Sequence, residues 1–213
     1  MICHKRKLLF MHPPRNGGKS IEDIIFNKKP GQGSSCHRQI TSVLQHSSFI
    51  NSVQDINSYY KFMFCRNPWD RAVSLYCWWV TYGPGDPGKF IDWVRKLITG
   101  HIHSLKPQIG WIKHKNEIIK FDFLGRFENY EEDFNKLCKN LDMDLKLPHH
   151  WATKHEHYST YYNDESYKLI TEAFREDIEY FSYKFEEKYK GSKISIHPWE
   201  VVIEPSSKKV KKQ

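Results

Sequence analysis

Long apolar runs are missing from this chain of 213 residues. No stretch approaches the ~18 residues that a membrane-spanning helix requires. Leu8-Leu9-Phe10-Met11 is too short for the apolar segment of a secretory leader and runs straight into a polar loop. The expected compartment is therefore cytoplasmic. Cysteine is sparse: Cys3, Cys36, Cys65, Cys77 and Cys138, an odd count with no CxxC pair. That excludes a disulfide framework and a zinc-knuckle spacing, and reduced thiols are expected. Histidine is plentiful, yet His101/His103, His149/His150 and His155/His157 match neither HExxH nor a finger spacing, so no metal is expected. RNP, KH and helix-turn-helix signatures are absent, so no nucleic-acid partner is expected. Neither an internal repeat nor a linker is visible. One domain over residues 1–190 is expected, with 191–213 as an extension whose basic end, Lys208 to Lys212, is too polar and charged to order.

What is present is positive charge and aromatic surface. Net charge is +8, hydrophobic residues make up 39% and aromatics 15%. The hydrophobic share is enough to close a core. A basic surface attracts polyanions, among them nucleic acid, anionic membranes, phosphorylated cofactors and sulfated glycans.

Along the chain, apolar strand-like runs alternate with helical periodicity. Residues 7–12 (KLLFMH) form a short apolar run stopped by Pro13-Pro14 and read as a buried strand. Arg15-Asn16-Gly17-Gly18 is a loop, and Lys19 to Phe26 begins a helix with Ile21, Ile24 and Ile25 on one side. Residues 27–48 read as loop with a short helix near Ile40 to Leu44. Tyr59 to Cys65 is a second buried strand, followed by a helix over Trp69 to Val80 with Pro68 placed to start it. TYGPGDPG over 81–88 breaks the chain, Phe90 to Ile98 is helical, and 101–120 has no clear period. Residues 121–127 form a third strand, and Asn129 caps a helix to Leu141. A loop spans 148–163 and a last helix runs from Asp164 to Phe181. Alternation of this kind predicts an α/β fold of three layers, a mostly parallel central sheet flanked by helices.

Two constellations carry chemistry. A glycine loop between strand and helix presents backbone N–H groups and the positive end of a helix to an anion. Here Gly17 and Gly18 permit close approach, Arg15 and Lys19 add charge, and Asn16 and Ser20 add donors. The loop ends Gly-Lys-Ser like a Walker A motif, but Pro13 stands where the first glycine belongs, and Cys65-Arg66 follows the second strand where a magnesium-binding aspartate would sit. A magnesium-dependent nucleotide kinase stays open as an alternative, as does a polyanion-binding protein without catalysis. In the second constellation Arg66 ends a strand and Ser74 lies eight residues on. A forked guanidinium and a hydroxyl suit one phosphate.

The stretch YKFMFCRNPWDRAVSLY resembles the 3′-phosphate motif of carbohydrate-type sulfotransferases (sulfotransferase family 2), which use 3′-phosphoadenosine 5′-phosphosulfate (PAPS). FMHPPRNGGKSIE is similar to their 5′-phosphosulfate loop, HIPKTGGTSIE. FDFLGRFENYEEDF and HEHYSTYYNDESYKLITEAFREDIEYFSYKF resemble two further blocks, so ordered matches cover roughly residues 7–186. The resemblance implies a P-loop-like sulfotransferase fold, PAPS as co-substrate with no metal, and a carbohydrate or glycoconjugate acceptor. It also implies that Arg15, Asn16, Gly17, Gly18, Lys19 and Ser20 bind the phosphosulfate and that Arg66 and Ser74 bind the 3′-phosphate. Arg71 joins the latter or pairs with Asp70 or Glu22. The loop from Lys154 to Tyr162 closes over the nucleotide, or Tyr158 and Tyr161 belong to the core.

Two departures stand out. Arg15 replaces the family's leaving-group lysine and Lys19 its threonine, so either cation is a candidate for that role. His37 is the expected base, because the family places a histidine before the second strand and neutral imidazole suits proton abstraction near pH 7. His46 and Glu22 are reserves. Lys106-Pro107-Gln108 is similar to a loop near the acceptor in related enzymes, which marks Gln108 and Trp111 as acceptor contacts. Trp78, Trp79 and Tyr82 are open to either an acceptor wall or their helix's core. Oligomeric state is not legible.

Overall fold

The computed structural model describes residues 1–27, 39–41, 43, 53–100, 105–147 and 155–186. Strands β1 (Ile2–Cys3), β2 (Leu8–Met11), β3 (Tyr60–Cys65) and β6 (Phe123–Arg126) form a four-stranded sheet in that spatial order. β2, β3 and β6 run parallel. β1 lies antiparallel along β2, with Ile2 opposite Leu9.

Parallel strands covered on both faces must be apolar at every position, and β2 shows how its residues divide. Leu8 and Phe10 join Phe62 and Phe64 on one face, against α1 (Gly18–Ile25) and α5 (Tyr130–Asn140). Leu9 and Met11 join Met63 and Cys65 on the other, against α3 (Pro68–Tyr82), α4 (Phe90–Ile98) and α6 (Asp164–Ala173). Two cores, one per face, make the three layers. α2 (Val53–Asn57) leads into β3, and α7 (Arg175–Tyr180) follows α6.

Several local reasons are visible. Asn67 caps α3 by accepting from the backbone N–H of Trp69 and Asp70, and Pro68 supplies a preset first turn. Asn163 and Ser166 form a reciprocal capping box on α6. Asn129 sits at the N-cap of α5 as expected, but its side chain makes no capping bond there.

Three differences from the sequence expectation have physical causes. The last helix is broken at Phe174, where φ is −116° and ψ 24°. The kink lets both Ile170 and Phe181 stay buried. The stretch without a clear period contains a small hairpin, β4 (Lys113–His114) and β5 (Glu117–Ile118). Its two-residue turn, Lys115-Asn116, has φ of 46° and 67°, and that left-handed turn matches strand twist. α3 also runs to Tyr82, past the expected Val80. Of the helix expected near Ile40 to Leu44, Ile40, Thr41 and Val43 are described and helical. No helix among the described residues is long and apolar enough to cross a membrane.

Phe134 on α5 is fully buried in the core that α1, α5 and the sheet share. Phe134→Ala is expected to lower unfolding free energy by about 3–5 kcal/mol, read as a lower urea midpoint with secondary structure retained at zero denaturant.

Candidate active site

β2 and β3 are adjacent and parallel, so the loops that follow them emerge at the same sheet edge. Those loops are Pro13 to Gly17 and Arg66-Asn67. In open α/β sheets this carboxyl edge is where ligands bind.

The first loop is built by close contacts. Gly17 has φ 75°, a conformation that favours glycine, and a Cβ there would come within 2.7 Å of the Tyr130 ring. The Tyr130 hydroxyl donates to the Gly17 carbonyl at 2.6 Å. At Gly18 a Cβ would fall 1.9 Å from the His12 ring. His12 is buried, and its Nδ1 lies 3.1 Å from Glu22 Oε1. No side chain caps α1 and its first turn carries no acid, so its positive end is left to an anion. Ser20 is buried and feels the Tyr130 phenol.

The cations of the two loops meet. Arg15, itself left-handed at φ 71°, extends its guanidinium to Ser74 Oγ, with Nε at 3.2 Å and Nη2 at 3.0 Å. Arg66 returns the link by donating Nη1 to the Arg15 carbonyl at 2.9 Å. Arg66 also donates to Asp70 at 2.8 Å and lies over the Phe127 ring at 4.1 Å. Burial, and after it repulsion from Arg66, pulls the Arg15 pKa down to about 10. Arg15, expected at the phosphosulfate, thus meets Ser74 and Arg66, expected at the 3′-phosphate. Lys19 is not with them: it is paired with Asp23 at 2.9 Å, one turn along α1.

Asn16 and Gln108 differ from their expected roles. The Asn16 amide points into the protein, donating to the Phe64 carbonyl at 2.7 Å and to Gln108 Oε1 at 2.6 Å. Gln108 is 0% exposed. It accepts from the Arg66 N–H at 2.9 Å and donates to the Arg66 carbonyl at 2.8 Å. A buried side chain with its amide engaged on both ends has no atom to offer an acceptor. Gln108 instead spaces the two loops, and Asp177 holds Gln108 through its backbone N–H at 2.7 Å. Trp111 is buried too and belongs to the core.

Arg71 pairs by hydrogen bond with neither Asp70 nor Glu22. It is fully buried and donates to the Pro14 carbonyl at 2.9 Å and the Lys106 carbonyl at 2.8 Å. Burial lowers its pKa to about 10, against the attraction of Asp177. Tyr158 is core, with its hydroxyl accepting from Glu186 N at 2.6 Å. Tyr161, half-buried, packs against that core. His155 lies 3.8 Å from Asp70. His37 and His46 lie outside the described residues. Among those described, no group of three or more His, Cys, Asp or Glu could hold a metal ion.

Sequence reasoning singled out neither Glu128 nor Asp177, although both lie within the motif blocks. Glu128 accepts from the Asn67 N–H at 2.6 Å and the Tyr183 hydroxyl at 3.2 Å, fixing the start of α3. Its side chain is exposed, yet the atoms around it remove part of its hydration and push its carboxyl up, and the Asn67 N–H offsets part of that. The signal was there in the polar residues flanking the third strand, but their partners are remote in sequence.

A parallel sheet flanked by helices, with a glycine loop and two arginines at its carboxyl edge, defines an α/β protein. The chain belongs to the sulfotransferase family, whose model, described as "Sulfotransferase family", matches residues 1–184. It is therefore an enzyme of sulfuryl transfer. An uncharacterized protein of Archaeoglobus fulgidus is 26% identical over 91 residues, 43% of this chain and 74% of that protein. Mouse sulfotransferase SULT7A1 complexed with PAP aligns at a TM-score of 0.40 and 14% identity, over 84% of this chain and 67% of the other. A match that loose gives no residue correspondence.

Glu128 also sets a pH dependence. Its folded pKa is above the ordinary 4.5, so the folded state keeps a proton that the unfolded chain has released. Its contribution is full below that ordinary value and is lost as pH rises through the raised one. Glu128→Gln should flatten the fall in urea midpoint as pH rises above 4.5, by a small amount because solvent screens an exposed carboxyl. An unchanged slope would place the titration elsewhere.

Proposed function

We propose that this chain moves the sulfuryl group of PAPS to a hydroxyl or amine of a carbohydrate or glycoconjugate. The junction of Arg15, Arg66 and Ser74 carries the reading. It joins a loop suited to a 5′-phosphosulfate with a strand end suited to a 3′-phosphate, as two ends of one nucleotide demand. The residues fit the ligand: an uncapped helix start, two glycines, and two forked cations, one of them on the Ser74 hydroxyl. The transferase domain extends to about residue 190, with the remainder as a basic extension.

In the reaction the acceptor oxygen or nitrogen attacks sulfur. The bond from sulfur to the bridging oxygen of the 5′-phosphate breaks, and its electron pair stays on that oxygen. The acceptor's proton passes to a base, leaving the sulfated acceptor and 3′-phosphoadenosine 5′-phosphate (PAP). Charge grows on the departing phosphate, and a cation already in place stabilises it without reorganising. Arg15 is the better placed of the two candidates. It stands at the junction, whereas Asp23 holds Lys19. Ser74 and Asp70 occupy the guanidiniums until phosphate replaces them. His37 is the proposed base on its position in sequence, since Glu22 is fully buried against His12.

Three outcomes test this. PAP at 100 times its Kd should stabilise the protein by ~2.7 kcal/mol where ATP does less, and Arg66→Ala should abolish the shift. Arg15→Ala should lower transfer from labelled PAPS about 10²–10³-fold, the scale of a lost charge-stabilising donor. Lys19→Ala should cost far less, and the reverse order would exchange their roles. His37→Ala should cut turnover about 10²–10⁴-fold with PAP binding intact, and undiminished turnover removes it from the mechanism.

A further inference from the structure

α3 does not end where its core contacts end. From Arg71 to Cys77 every residue is buried, but Trp78 and Trp79 are half-buried and Val80, Thr81 and Tyr82 exposed. The last turns carry three aromatic side chains: Trp78 and Trp79 pack against the edge of the core with part of their surface open, and Tyr82 stands outside it. Ser74, Trp78 and Tyr82 are spaced i, i+4, i+8 and form one row along the helix. The row begins at Ser74, which holds the Arg15 guanidinium. It ends at Tyr82, 69% exposed, about 12 Å further along the axis at 1.5 Å per residue. The rings neighbour one another: Trp78 lies 6.2 Å from Tyr82, tilted by 43°, and 6.5 Å from Trp79 at 82°.

We propose that Trp78 and Tyr82 form the platform on which the acceptor's sugar ring lies, with one hydroxyl directed back toward Arg15. The inference rests on the sulfuryl-transfer reading above and adds which residues choose the acceptor. The shape of the surface selects the chemistry. A small phenol or other flat apolar acceptor is best held in a closed apolar cleft that buries most of its surface. An open ridge covers one face and leaves the other wet. A pyranose has an apolar face of C–H bonds to set on aromatic rings and a hydroxyl edge that stays hydrated. Trp and Tyr supply such area with little side-chain freedom to lose. Two rings in file give room for neighbouring sugar units, with the reacting one nearest Ser74.

The test separates the platform from the nucleotide site. Wild type, Trp78→Ala, Tyr82→Ala and Tyr82→Phe are compared for PAP binding by calorimetry. They are then assayed for transfer from labelled PAPS to chitotetraose, N-acetyllactosamine, desulfated heparan oligosaccharides, 1-butanol and 2-naphthol. PAP-saturated protein is also titrated with each sugar while tryptophan fluorescence is followed. The expected result is sulfation of at least one sugar probe. Its KM should rise about 10-fold in each alanine variant, a loss near 1.4 kcal/mol. Tyr82→Phe should behave as wild type, and PAP affinity should be unchanged throughout. Sugar sulfation with unaltered KM in both alanine variants overturns the platform. So does a PAP-binding protein that sulfates only 2-naphthol or 1-butanol, or one that neither sulfates a sugar nor shows sugar-dependent quenching. Failure of wild type to bind PAP overturns the nucleotide reading, and the platform with it.

Discussion

Everything at this site depends on two like charges being held side by side. Arg15 and Arg66 repel, and burial removes the water that would screen them. The protein tolerates the pair because each guanidinium is given acceptors. Arg15 has the Ser74 hydroxyl, while Arg66 has the Arg15 carbonyl, the Asp70 carboxylate and the Phe127 ring face. Repulsion held in place in this way is a stored preference for an anion.

Holding that geometry takes a second set of residues. Gln108 grips both backbone groups of Arg66 and accepts from Asn16, so one buried amide fixes the distance between the two loops. Asp177 anchors Gln108, Arg71 ties down the Pro14 carbonyl, and Glu128 anchors Asn67. Gln108, Asp177 and Arg71 are buried, so each must be paired to avoid a penalty of about 1–3 kcal/mol, whereas Glu128 holds Asn67 from the surface. The cost is met because their partners are backbone atoms of the catalytic loops. Stability and positioning are therefore carried by the same bonds.

The apolar pattern of the strands was legible because burial on both faces leaves few polar positions; Lys61 of β3, paired with Asp122, is the exception there. Leu8 to Met11 and Phe62 to Cys65 could be read as strands at once. The loop around Gly17 and Gly18 was legible because its ligand chemistry sits in consecutive residues. Gln108 and Trp111 were misassigned for the opposite reason. A polar or aromatic residue near an acceptor loop looks the same in sequence whether it faces out or in. The break at Phe174 and the hairpin at residues 113–118 arose from packing and from a left-handed turn, neither of which has a strong local period.

By itself the sequence determined the order of strands and helices, the family, and the identity of the cationic groups, since these follow from local composition and contiguous motifs. Only the tertiary structure decided which groups meet. The Arg15 to Ser74 contact spans residues far apart in the chain, and so do those of Asn16 with Gln108 and of Glu128 with Asn67. Side-chain direction and burial depend on what the rest of the chain packs against each position. That is why Gln108 turned inward and the end of α3 was left outside.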